Sequence, residues 1–386
     1  MSDNAVLLSA SAMQPITGSN TAEFKTFLQI IGRGKTAGKT LSEQQAYRAM
    51  SLLLSERVAP EQRGAFLMLL RVREETEAEL AGFLRACREA NQWQFHWCDP
   101  DAVPDTALSD TGLSDTGRPV SEAIAHSRPH SRPHSRPHLD IGCYAGKRRH
   151  QPWMLLAIMA LAQRGYRIFL HGSQEPDSQR LYMDQVWHHF GWEIAETQSQ
   201  ALAQLKATGM CYAPLQKINP ALHQLIQLRA LFGLRSCANS LARMLNPSQA
   251  QHSVHGVFHR HFDEKHVKIA DRLNDSSVFC FRGDGGEVEV NPERDCSLWF
   301  RRNGQIGQAV LPALLDKCQV KPAELDPAEL PQLWQTKSDV YGEAAVIGTL
   351  AVLLSVLHQS VPADMLEPAK NIWQNRHRYW PSAGSD

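Results

Sequence analysis

Three consecutive cations, Lys147, Arg148 and Arg149, follow the short segment Asp140-Ile141-Gly142-Cys143-Tyr144-Ala145-Gly146. A glycine-bearing loop presents backbone amides, and adjoining positive charges attract phosphate without any metal. A second candidate is longer. From Thr197 to Phe262 the chain holds no Asp or Glu, yet carries Lys206, Lys217, Arg229, Arg235, Arg243 and Arg260 with five histidines. Formal net charge is zero, so affinity for phosphate has to come from where the charges sit. Compensating acids lie elsewhere, notably Glu324, Asp326, Glu329, Asp339 and Glu343. A long acid-free basic stretch predicts a positive face that concentrates polyanions. The competing reading is that individual arginines cap helix C-termini or pair with remote acids. Arg229 and Arg243 are 14 apart with Arg235 between them, so one helix face need not hold all three. Aromatic residues there are few (Tyr212, Phe232 and Phe258), which favours phosphate contact over base stacking and implies weak sequence preference.

Other chemistries fit less well. Gly32-Arg33-Gly34-Lys35-Thr36 and Gly38-Lys39-Thr40 suggest a nucleotide-binding loop, but the first glycine of that motif falls on Gln29 or Arg33. A cationic loop ahead of a helix is the expectation. His255, His259, His261 and His266 suggest a metal cluster, but the spacing lacks a nearby Cys, so these residues read as loop or helix surface. The eight cysteines are scattered without a C-x-x-C pair, which argues against a zinc ribbon or disulfide framework and fits reduced thiols in a cytosol. No catalytic residue and no metal ligand is assigned.

A chain of 386 residues suggests two domains. The first 20 residues show neither a basic leader nor a long apolar run and are expected to be disordered. Residues 21–98 read as a small helical bundle. Ser42 with Gln45 and Thr76 with Glu79 form capping boxes, and Pro60 suits a first helical turn. Such short amphipathic helices need a partner to cover their apolar face. Residues 99–138 read as a low-complexity linker, with a DTGLS-like repeat and then His-Ser-Arg-Pro three times. Its other readings are a histidine-rich metal tract and a cationic arm. Residues 139–386 alternate strand and helix, with strands at 167–171, 210–213, 277–281 and 287–290. That is an α/β domain with a mostly parallel sheet, whose ligand sits beyond the carboxyl ends of the strands. Trp153 and Met154 read as core. The apolar runs Trp153 to Ala162 and Ala345 to Leu357 fall short of the roughly 20 residues needed to span a bilayer, so no membrane partner is expected.

Residues 41–89 resemble the N-terminal helical domain of the anthranilate phosphoribosyltransferase and pyrimidine nucleoside phosphorylase group. Residues 139–172 and 212–247 resemble its catalytic α/β domain. Members that transfer phosphoribose carry D-I-x-G-T-G-G-D, whose glycines let amides wrap a pyrophosphate. On residue-by-residue alignment Cys143 and Ala145 replace two of those glycines, Tyr144 the threonine and Lys147 the acid. The family's K-H-G-N-R-S becomes Leu170-His171-Gly172-Ser173-Gln174-Glu175. Its later Gly-Pro becomes Ala242-Arg243, while Arg229 aligns with an acceptor-contacting arginine. Asp263-Glu264 follows His255-Gly256 at a longer spacing than the family's magnesium pair, and that role is not carried over. These departures, with Gly283-Asp284-Gly285-Gly286-Glu287, resemble the non-catalytic YbiB-type branch, described as DNA-binding dimers. The resemblance implies a cytoplasmic homodimer joined through the helical domain, with DNA as partner, RNA as the other candidate, and no cofactor. The alternative is an active transferase of altered acceptor specificity using phosphoribosyl pyrophosphate and magnesium.

Overall fold

The computed structural model describes residues 18–33, 39–95, 97, 136–316, 324–336 and 338–381. Two compact units divide between Ala90 and Asn91. The expected boundary at residue 98 therefore moves. Trp93 and Phe95 pack edge-on against Phe169, and the Gln92 amide donates to the Ile218 carbonyl at 2.8 Å, so residues 91–97 belong to the second unit. The DTGLS-like repeat, most of the His-Ser-Arg-Pro repeat and residues 34–38 lie outside the described residues. The end of the linker does not behave as one. The Pro137 carbonyl accepts from Gln251, and His138 bonds to both Arg167 and His252.

The first unit holds α1 (Gly18–Ile31), α2 (Glu43–Leu54), α3 (Pro60–Arg73) and α4 (Glu77–Glu89). Helix α1 begins three residues inside the segment expected to be disordered. Both capping boxes form as the spacing predicts, and Pro60 opens α3. A side chain at Gly82 would meet the Glu43 carbonyl at 2.2 Å, so only glycine permits this close crossing of α2 and α4. Phe24, Phe66 and Phe83 fill the core with rings 5.1 and 6.0 Å apart.

The second unit is built on a seven-stranded sheet in the order β3-β2-β1-β4-β5-β6-β7. The strands are β1 (Leu139–Cys143), β2 (Ile168–Gly172), β3 (Met210–Pro214), β4 (His252–Val257), β5 (Ser277–Arg282), β6 (Cys296–Arg302) and β7 (Gln305–Leu311). The first five are mutually parallel and the last two antiparallel. Four helices matter below: α5 (Met154–Gln163), α6 (Ala238–Arg243), α7 (Phe262–Arg272) and α8 (Val340–Leu357). Helices α5 and α8 are apolar nearly all round and pack together in the core. Helix α8 is long and apolar enough to cross a membrane, yet 72% of it is buried inside this unit. The strand expected at 287–290 is absent. Those residues follow a tight Gly283–Glu287 turn and insert Val288 and Val290 into the core without pairing.

Glu79 anchors the first unit. Fully buried, it accepts from the Leu41 and Thr76 amides at 2.8 and 2.9 Å and from Arg73 at 2.6 Å. Glu79→Ala leaves four donors, the Thr76 hydroxyl included, without their acceptor and is expected to lower stability by about 3 kcal/mol, read by urea denaturation followed on the helical signal.

Candidate functional site

The loop after β1 stands at the carboxyl end of the parallel strands, where α/β folds bind ligands. Tyr144 folds back on it. A Cβ at Gly142 would come to 3.0 Å from the Tyr144 ring and 3.2 Å from the Arg243 backbone, so glycine lets that ring lie close over the strand. His171 Nε2 lies 3.0 Å from Asp140 Oδ1. A carboxylate only accepts, so His171 donates there and its Nδ1 accepts from the Tyr144 hydroxyl at 2.7 Å. Asp140 also accepts from the Ser248 hydroxyl at 2.6 Å. All but Ser248 are locked onto the ends of β1 and β2, and all four are buried.

Behind that ring, the amides of Ala145 and Gly146 both donate to Glu287 Oε1, at 2.7 and 2.6 Å. Two adjacent amides converging on one anionic oxygen form a phosphate cradle in miniature. Here the chain's own carboxylate fills it. The second oxygen, Glu287 Oε2, is buried without a hydrogen-bond partner among the described residues.

Lys147 was expected to meet phosphate, and the structure corrects this. Its side chain is 1% exposed, with Nζ 2.5 Å from Asp284 Oδ2 and 2.6 Å from Glu289 Oε1. Glu289 also accepts from the Met154 amide at 2.8 Å, which fixes the start of α5. One ammonium cannot neutralise two carboxylates. Burial would raise Asp284, but Lys147 outweighs it and holds that carboxyl low. Burial pushes Glu289 up to about 7 against the pull of Lys147.

The acid-free stretch is also reordered. Glu175, itself buried, accepts from Arg229 Nη1, from Arg235 Nε and Nη2 at 2.7 Å each, and from Asn239 at 2.6 Å. Arg229 and Arg235 are thus ion-paired to an acid far upstream, and so are corrected as free phosphate ligands. Arg243 is buried on α6 and donates to the Asn239 carbonyl; burial lowers its pKa. Lys217 stands 3.5 Å from Glu196 and is half-exposed. Arg148, Arg149, Lys206 and Arg260 are exposed.

Three of these exposed residues, Arg148, Arg149 and Arg260, belong to a rim around the closed loop. Gly286 lies between Ala145 and Phe258, whose Cβ atoms would be 3.3 and 3.2 Å from an added Cβ. Phe258 is 54% exposed, and Arg282 Nε donates to its carbonyl at 3.0 Å. Burial lowers the Arg282 guanidinium, aided by the nearby charges of Arg294 and Arg260. Arg180, which donates to the Ala145 and Gly146 carbonyls, feels Arg148 in turn. Arg180 and Arg282 were missed because neither lies in the acid-free stretch, and Phe258 carried no signal of exposure. Beside the rim, a cavity of about 690 Å³ opens at the ends of β2 and β3, lined by Ser173, Glu175, Asp184, Tyr212, His223 and Gln227.

Residues 28–90 match the helical bundle domain of the glycosyl transferase family, and residues 154–331 match its a/b domain. This chain carries both domains of that family. It is 28% identical over 256 residues to the anthranilate phosphoribosyltransferase of Halalkalibacterium halodurans, 66% of this chain and 64% of that one. The match therefore spans under two thirds of that relative's length. It is 23% identical over 274 residues to the uncharacterized protein YbiB of Escherichia coli, covering 70% and 74%. The solved anthranilate phosphoribosyltransferase of Saccharomyces cerevisiae, in complex with PRPP and Mg, superimposes with a TM-score of 0.67 at 15% identity, covering 93% and 94%. That likeness establishes the fold: a helical bundle plus an α/β domain on a mostly parallel sheet.

The acids present do not fit magnesium. The Lys147 ammonium sits between Asp284 and Glu289, where a cation would go. Glu264 pairs with Lys268 at 2.8 Å, and Asp263 is buried at the start of α7. His255 and His266, expected on a loop or helix surface, are 1% and 2% exposed, while His259 and His261 are exposed.

Lys147→Met leaves two buried carboxylates unpaired and is expected to cost about 3–5 kcal/mol of stability in urea denaturation. Arg148→Ala and Arg149→Ala should each stay within about 0.5 kcal/mol of wild type. Glu289 adds a pH dependence. A carboxyl raised from an unfolded value of about 4.3 stabilises the fold fully below that pH and loses its contribution as pH rises through about 7. Relative to Glu289→Gln, which stays neutral, wild type is expected to lose on the order of 3 kcal/mol across that interval.

Proposed function

We propose that this chain binds nucleic acid with little sequence preference, through a cationic rim around a phosphoribosyltransferase-like loop that no longer holds pyrophosphate. The observation that carries the reading is the Glu287 carboxylate on the two loop amides, since a phosphate placed there would meet a buried negative charge. The ligand is then met at the surface. Arg148, Arg149, Arg260 and Arg282 line the rim, and half-exposed Phe258 offers one stacking face. In this reading the working unit is a homodimer joined through the helical unit, so that one polyanion meets two rims.

A second reading has support of its own. Family relatives are named anthranilate phosphoribosyltransferases, and one is solved with PRPP and Mg. Transfer of phosphoribose to an unidentified amine or base is that alternative. The filled amide cradle and the Lys147 ammonium between the acids weigh against it.

The experiment is a gel-shift titration with single- and double-stranded DNA and RNA over a salt series. If the four rim arginines of each protomer neutralise one phosphate apiece, log K for duplex DNA should fall against log salt with a slope near −4 for one rim and near −7 when the dimer lays both rims on one duplex. Arg148→Glu with Arg149→Glu should weaken binding to every sequence and flatten the slope by about 2 for each rim engaged. A flat salt response in wild type overturns the reading. So does pyrophosphate release from phosphoribosyl pyrophosphate with magnesium and an acceptor panel, as far as absence of transfer is concerned.

A further inference from the structure

We propose that His255, His266 and Cys280 form a buried site for one thiophilic divalent cation, zinc by the chemistry of its donors. His255 on β4 and Cys280 on β5 are direct partners in the parallel register, so their side chains leave the same face of the sheet side by side. Helix α7 packs over these strands and brings His266 onto that face. The three donor atoms lie within 4.8 Å of one another, and all three residues are buried. His255 Nδ1 and His266 Nδ1 are 3.3 Å apart. Two nitrogens bound to tetrahedral zinc at roughly 2.0–2.1 Å are separated by about 3.3 Å, so the imidazoles already span one edge of the polyhedron.

The surroundings fit a bound cation. His255 Nε2 stands 2.8 Å from the Ser253 hydroxyl. With Nε2 donating there, its Nδ1 lone pair faces His266, the outer hydrogen bond that orients histidine ligands to metals. Burial keeps His266 neutral, as a ligand must be. Val257, Val267, Phe262 and Trp299 give the pocket an apolar wall. Burial pushes the Cys280 thiol well up; the charge of Asp263, buried one helical turn before His266, adds to that and the charge of Arg243 opposes it. Together with a Cys280 thiolate, Asp263 offsets the two charges of the cation. Two nitrogens and a sulfur select zinc over magnesium or calcium, which prefer oxygen. Without the cation, His266 Nδ1–H donates to His255 Nδ1. On binding, that proton passes to His266 Nε2 and the Cys280 proton leaves for solvent, so one proton is released per cation.

The test uses the full chain, unfolded in chelator and refolded with cobalt(II), and also expressed in cobalt-supplemented medium. One cobalt per chain is expected, with a thiolate-to-cobalt charge-transfer band in the near ultraviolet and intense tetrahedral bands in the visible, all displaced by zinc. Cys280→Ser should abolish the charge-transfer band. X-ray absorption on zinc-loaded wild type needs no variant and should show one sulfur at about 2.3 Å beside two imidazoles. No band under either loading overturns the proposal, as does a band that survives Cys280→Ser. Cobalt that binds without a thiolate band, and is lost when His126, His130, His134 and His138 are replaced, belongs to the repeat and overturns it equally.

Discussion

An ammonium group buried in protein has to be surrounded by opposite charge, and Lys147 meets that demand with two carboxylates from one short segment. The requirement organises the carboxyl end of the sheet. Asp284 and Glu289 must reach under the loop after β1, so the chain between them turns tightly at Gly285 and Gly286, both with positive φ. That turn delivers Glu287 to the amides of Ala145 and Gly146. Glu289 meanwhile caps the first amide of α5, so the same ion cluster fixes a core helix. The loop after β1, the turn and the core are therefore one construction.

The cluster also explains why charges adjacent in sequence part company. Lys147 turns inward where its backbone bridges Leu181, and Arg148 and Arg149 turn out to solvent. The acid-free stretch divides in the same manner. Arg229 and Arg235 converge on Glu175, an acid brought in by the loop after β2, while Arg260 follows β4 to the exposed rim. Counting acids within a window measures who is near in the chain. Ion pairs depend on who is near in space, and crossovers of a parallel sheet bring distant segments together by construction.

Several elements could be read directly. Both capping boxes form because their partners lie three residues apart, and β2, β3 and β5 stand where apolar β-type runs predict them. The hairpin of β6 and β7 had a signal as well: Asn303-Gly304, both with positive φ, is a favoured two-residue turn. The run at 287–290 misled because it alternates apolar and acidic residues like a half-buried strand. Its acids are buried too, Glu287 through Oε1 on the loop amides and Glu289 on Lys147 and the Met154 amide.

The sequence by itself determined the two family domains, the helix caps and most of the parallel strands, since these rest on residue type and short-range spacing. Tertiary structure alone decided which cations face solvent, that Glu287 fills the amide cradle and that Cys280 lies beside His255. Each of those facts is a contact between segments remote in the chain. Such contacts follow from strand order and register, and residue type does not encode them locally.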